Sequence, residues 1–138
     1  MARTRCCETP RLSVVLVLAE RGVSHGMNGH DTVYDYTKVQ ECSACGGGVV
    51  EHYSHDCWDT GNYADYDKYW WWRIDMAAIR ELMAACPAPL DPACACPVHR
   101  GLGAGTPRPL PPSVETPYED ATVPKAEVRV LDGVPQWA

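Results

Sequence analysis

Phenylalanine is absent from this chain of 138 residues. Aromatic packing therefore falls to seven tyrosines and five tryptophans, whose O–H and N–H groups need partners once buried. Long apolar runs are missing too. The most apolar stretch, 12–19 (LSVVLVLA), is far shorter than the roughly 20 residues that span a bilayer. It follows several arginines, as the apolar part of a signal peptide does. Glu20 and Arg21 come directly after it, however, and no small-x-small cleavage pattern appears. The stretch reads as a buried strand or short helix, with a secretion signal as the lesser alternative. Met27 is a further candidate start, because MNGHDTVYDY reads as a domain beginning and the first 26 residues differ from it in composition.

Basic residues are also scarce. Twelve Lys and Arg face 18 Asp and Glu, for a net charge of −6. The imbalance sits in residues 31–70, where eight acids oppose only Lys38 and Lys68. An acidic centre repels phosphate backbones, which argues against nucleic acid as a partner. Several catalytic signatures are missing as well. There is no HExxH, no HxE…PCxxC pattern, no GxSxG and no phosphate-binding glycine loop.

What the chain has is cysteine: eight, at positions 6, 7, 42, 45, 57, 86, 94 and 96. Such density implies metal or disulfides, and the compartment decides between them. Without a clear signal peptide the reading is a reducing, cytoplasmic location and a metal. The secreted, disulfide-stabilised protein is kept as an alternative.

Cys42-x2-Cys45 is followed by three glycines, Gly46 to Gly48. Two intervening residues let a tight turn aim both sulfurs at one centre, and glycine next in line permits a positive φ. Cys96-x2-His99 repeats the spacing, with Cys94 as a rival ligand. Residues Cys42 to Gly47 closely resemble the knuckle of zinc-ribbon proteins, and Cys94 to His99 resemble it loosely. The resemblance implies a structural zinc held between the two turns by four of Cys42, Cys45, Cys94, Cys96 and His99. Fifty residues, 46–95, separate the turns, more than in typical ribbons. Cys86 reads as a buried apolar residue on a helix stripe. His52, His55 and Cys57 form a second cluster, the basis of an alternative in which the protein is a small metal- or thiol-dependent enzyme.

The remaining pattern places strands at 32–40, 49–58 and 69–74. In YWWWRI, period two puts Tyr69, Trp71 and Arg73 on one face and Trp70, Trp72 and Ile74 on the other. Asp75 is a plausible N-cap for a helix over about 76–86, whose stripe is Met76, Ile79, Leu82, Met83 and Cys86. Pro87 and Pro89 end it. Asp132-Gly133 signals a turn after a last strand at 126–131.

The expected fold class is α+β: a small zinc-stapled domain with a short antiparallel sheet and one main helix. Residues 1–32 are an extension of uncertain order, 33–102 the domain, 103–125 a Pro/Gly-rich linker, and 126–138 a C-terminal strand or tail. The function expected is a non-enzymatic interaction or adaptor module. Eight of the twelve aromatics lie between Tyr53 and Trp72, which is read first as sheet and core packing. The sharper reading is an acidic-aromatic surface that binds a protein partner.

Overall fold

The computed structural model describes residues 6–24, 31–56, 66–114 and 123–138. Four strands form an antiparallel sheet in the order of the chain: β1 (Leu12–Ser24), β2 (Asp31–Cys42), β3 (Gly48–Asp56) and β4 (Tyr66–Ile74). Two short helices follow, α1 (Met76–Met83) and α2 (Pro97–Leu102). A second sheet is the hairpin of β5 (Val128–Leu131) and β6 (Val134–Trp137). The α+β reading stands in this coarser form, with β structure dominant and the main sheet longer than expected.

The alternation in β4 divides the sheet as its sequence predicts. Trp72 and Ile74 join Leu16, Leu18, Val39 and Val50 in the main core, which both helices cover; Trp70 packs at its margin. Trp71 lies on the opposite face with Val49 and Val123, and Tyr69 packs against them. Strand neighbours point to opposite faces, so three consecutive tryptophans are shared between two cores. Trp72, fully buried, donates its indole N–H to the carbonyl of Pro109 at 2.8 Å. Trp71 donates to Glu51 Oε1, also at 2.8 Å. Both indole dipoles are thereby satisfied, as burial demands.

Three sequence expectations change. The 12–19 stretch is a strand, one of the two forms expected of it, but that strand, β1, is part of the main sheet: it pairs with β2 from Leu12↔Cys42 to Ser24↔Asp31 and sends Leu16 and Leu18 into the core. Residues 12–24 of the supposed extension thus belong to the sheet. The presumed linker also packs in its described part. Pro107 is fully buried, and Val114 exchanges backbone hydrogen bonds with Tyr69. The reason is that β4 would otherwise be an unpaired edge, and residues near 114 and 125 bridge to it. Finally, the C-terminal segment is a hairpin rather than one strand, with Asp132 (φ 53°) and Gly133 (φ 79°) making its turn.

Helix α1 ends at Met83, short of Cys86. Asp75 caps its start by accepting from the Ala77 N–H. At its end, Ala85 and Cys86 bond back three residues, to Leu82 and Met83. Pro87 disfavours helical backbone at Cys86, so the chain tightens and leaves the helix there. Helix α2 was not anticipated. Its cue is Pro97 at the first helical position, where a missing N–H costs nothing. Gly101 of α2 lies against β6: a Cβ there would collide with the carbonyl oxygen of Pro135 and meet Val134 at 2.9 Å.

Among the described residues, no helix is long and apolar enough to cross a membrane.

Candidate metal centres

The β2–β3 hairpin carries the first centre. Cys42 closes β2 and Gly48 opens β3, so residues 43–47 form the turn between them. The turn is held by two backbone bonds of 2.8 Å, Cys42 N–H to the Gly47 carbonyl and Gly46 N–H to the Cys42 carbonyl. Gly46 takes φ 74°, the left-handed conformation that suits glycine. Backbone N–H groups then converge on the sulfurs. Arg11 donates to Cys42 Sγ at 3.3 Å, and Gly47 donates to Cys45 Sγ at 3.3 Å. The Cys42 thiol is lowered to about 6 by the Arg11 N–H above all, with further N–H groups from Cys45 and Ala44, against the opposing effect of burial. This is thiolate chemistry, and the thiolate is the form that binds metal.

The partners of Cys42 and Cys45 are Cys6 and Cys7. The ligand atoms of all four lie within 4.8 Å of one another. Cys7 Sγ is 3.8 Å from Cys42 Sγ and 3.9 Å from Cys6 Sγ. Sulfurs at the corners of a tetrahedron with metal–sulfur bonds of about 2.3 Å stand about 3.8 Å apart. Burial, and then the thiols of Cys42, Cys45 and Cys7, push Cys6 upward, because four thiols this close cannot all ionise without a cation between them.

The second centre lies on the opposite, helix-covered face. Its members are Cys86, Cys94, Cys96 and His99. Cys86 follows α1, Cys96 is the N-cap of α2, and His99 stands on the first turn of α2. The connecting loop is fixed by Asp91, which accepts from the Ala93 N–H through its side chain and from Cys94 through its carbonyl. It is tied to β1 where Val17 donates to the Pro89 carbonyl at 2.8 Å. Cys86 Sγ is 3.9 Å from Cys94 Sγ and 3.3 Å from Cys96 Sγ. His99 Nδ1 is 3.5 Å from Cys86 Sγ and 3.0 Å from Cys96 Sγ. A mixed sulfur–nitrogen edge in a zinc tetrahedron is about 3.6 Å, so the set has the right size with slight compression. None of the seven described cysteines is in a disulfide.

Burial would raise Cys96, yet the backbone N–H and ring of His99, with the Cys86 and Cys94 thiols, bring it down to about 6. Cys86 goes the other way, to about 11, through burial and the neighbouring Cys96. One thiol of the pair thus gives up its proton at the other's expense. His99 is only 5% exposed, and its Nε2 has no partner among the described residues. A buried nitrogen without a partner costs about 1–3 kcal/mol. Its ring is held through Nδ1, which faces the sulfurs. A cation at the centre of the set would take Nδ1 and the three sulfurs as its four ligands; it would not satisfy Nε2, so the fit rests on the Nδ1 and sulfur geometry. The donor set therefore fits a metal ion.

The residues read from the sequence as one site are thus divided. Cys42 and Cys45 join Cys6 and Cys7, while Cys94, Cys96 and His99 join Cys86. The two turns pack on opposite faces of the sheet, Cys6 beside Trp71 and Cys86 and Cys96 beside Trp72, so they form two groups instead of one. Cys86, read as a plain core residue, is in position to be a ligand. Cys6 and Cys7 had no usable spacing signal; the pairing of Leu12 with Cys42 is what delivers them.

His52 and His55 face opposite sides of β3. His52 Nδ1 lies 2.9 Å from Thr37 Oγ1, its ring packs tilted against Trp70, and burial lowers its pKa. His55 Nδ1 is 2.8 Å from Asp67, which also accepts from the Tyr53 O–H at 2.5 Å. Cys57 lies outside the described residues, as does Met27. On the His55 face, Tyr36, Tyr53, Tyr69 and Trp71 form a continuous row with centroid spacings of 5.0, 4.9 and 5.6 Å.

Comparison with family models, curated proteins and solved structures gave no match.

Proposed function

We propose that this chain is a small zinc-binding interaction module with two structural zinc ions, one on each side of the sheet. One observation carries the reading: two quartets of Cys and His ligand atoms, each within 4.8 Å, spaced like the corners of a metal tetrahedron. All-sulfur and sulfur–nitrogen tetrahedral sets favour zinc among common divalent ions. Cys6, Cys7, Cys42 and Cys45 would hold one ion; Cys86, Cys94, Cys96 and His99 would hold the other. Four protein ligands leave no open coordination position, which favours a structural role over a catalytic one. Thiolate ligands in this number suit a reducing compartment such as the cytoplasm.

The partner surface would be the aromatic face of β2, β3 and β4 formed by Tyr36, Tyr53 and Tyr69, with Glu51 and Asp67 as its acids. A protein with a basic patch complements it, and nucleic acid does not. Elemental analysis of protein purified under reducing conditions tests the metal. Two zinc per chain is the expected result, and protein folded without bound metal overturns it. For the partner, binding to a lysine-rich peptide should weaken with salt and with Asp67→Lys; indifference to both would remove the surface from consideration.

A second reading has the His55–Asp67 pair in its favour, since a carboxylate on Nδ1 orients an imidazole for proton transfer. It requires a hydrolytic or thiol-transfer activity that disappears in His55→Ala.

A further inference from the structure

The two quartets differ in their access to solvent. Cys86, Cys96 and His99 are 8%, 9% and 5% exposed, Cys94 is half-buried, and Cys86 and Cys96 belong to the main hydrophobic core. In the other quartet only Cys42 is fully buried; Cys45 is exposed, and Cys6 and Cys7 are half-buried. An incoming ligand reaches a metal ion in such a set from the Cys45 side without disturbing the core.

The exposed quartet is also largely shaped before any ion arrives. The hairpin turn that carries Cys42 and Cys45 is closed by its own backbone bonds. Ser43 N–H donates to the Arg11 carbonyl at 3.0 Å, which brings the segment with Cys6 and Cys7 alongside. Removing the ion leaves these bonds and the main core in place. The enclosed quartet lacks that independence. It joins the end of α1, a loop and the start of α2, and two of its ligands, Cys86 and Cys96, are members of the main core, so losing its ion disturbs that core directly.

The donor sets differ as well. Four sulfurs without nitrogen or oxygen prefer soft cations, whereas the enclosed set contains an imidazole. We propose that the Cys6–Cys7–Cys42–Cys45 quartet is an exchange site for soft, thiophilic metal cations, while the Cys86–Cys94–Cys96–His99 quartet keeps its ion for as long as the fold persists. This rests on the two-zinc reading above.

The test uses the full-length zinc-loaded protein. EDTA is added under folding conditions while free zinc and far-ultraviolet circular dichroism are followed together. One of the two zinc equivalents leaves before the spectrum changes, and the second leaves only with unfolding. Cadmium displaces one zinc per chain and produces a thiolate-to-metal charge-transfer band. Iodoacetamide added after the first release labels Cys6, Cys7, Cys42 and Cys45 and spares Cys86, Cys94 and Cys96. In Cys45→Ser the early equivalent is gone. Loss of both zincs in one phase together with the fold overturns the exchange proposal alone, as does early labelling of Cys86 or Cys96. Protein that carries no zinc before EDTA is added overturns the two-zinc reading and the exchange proposal with it, so the two failures are distinguishable.

Discussion

Cys7 Sγ and Cys42 Sγ lie 3.8 Å apart although 35 residues separate them in the chain. The contact ties the start of the described chain to the far end of the β2–β3 hairpin. Pairing of β1 with β2 makes it possible, because Leu12 stands opposite Cys42.

Substituting Cys7 by Ser should therefore lower the zinc content from two per chain to one and loosen the segment before β1. The Arg11 backbone, held by Cys42 Sγ on one side and the Ser43 N–H on the other, becomes a site of tryptic cleavage. Limited proteolysis with mass spectrometry reads the cut after Arg11. A wild-type digestion pattern with full zinc content would show that Cys7 is not a ligand.

His99→Ala should abolish cooperative folding, because it removes a ligand from the enclosed set. Zinc binding of such sets is worth on the order of 10 kcal/mol, comparable with the whole stability of a small domain. His99→Cys keeps four soft ligands and should restore a sharp thermal transition and two zinc per chain. A cooperative transition retained in His99→Ala would remove this quartet as a folding element.

Gly101→Ala forces a Cβ into the Pro135 carbonyl and should push β6 away from α2. Overpacking of this kind costs about 1–3 kcal/mol. Urea unfolding measures it. The same displacement would break the bond from the Trp137 indole N–H to the Leu102 carbonyl, 2.9 Å in the native protein, and shift tryptophan emission to the red.

Asp67 is held below its ordinary value of 3.8, first by the Tyr53 hydroxyl and then by His55. The folded chain thus binds fewer protons than the unfolded one in this range. The stabilisation is complete above pH 3.8 and disappears as pH falls through the lowered value. Tyr53→Phe should remove about 1 kcal/mol or less near neutrality, because Asp67 is partly open to solvent. Thermal scans of both proteins should converge in strong acid. His52 acts with the same sign at higher pH. Burial lowers its pKa below 6.5, so its contribution is full above that value and fades on acidification through the lowered one.

Local chemistry determined much of this protein. Cysteines with two residues between them, before a run of glycines, make a turn that aims two sulfurs together, and the YWWWRI alternation splits its tryptophans between two faces. Asp75 and Pro87 mark the limits between which α1 forms, and Asp132-Gly133 turns the last hairpin. Each depends on neighbours within a few residues, so each is legible along the chain. Which thiols meet was decided only by tertiary structure. Cys6 and Cys7 reach Cys42 and Cys45 because a strand register carries them there, and Cys86, still a core residue, becomes a candidate ligand because packing sets it against Cys96 and His99 at the start of α2. Ligand spacing encodes half of each site; the other half arrives through pairing and packing across tens of residues, which no local pattern records.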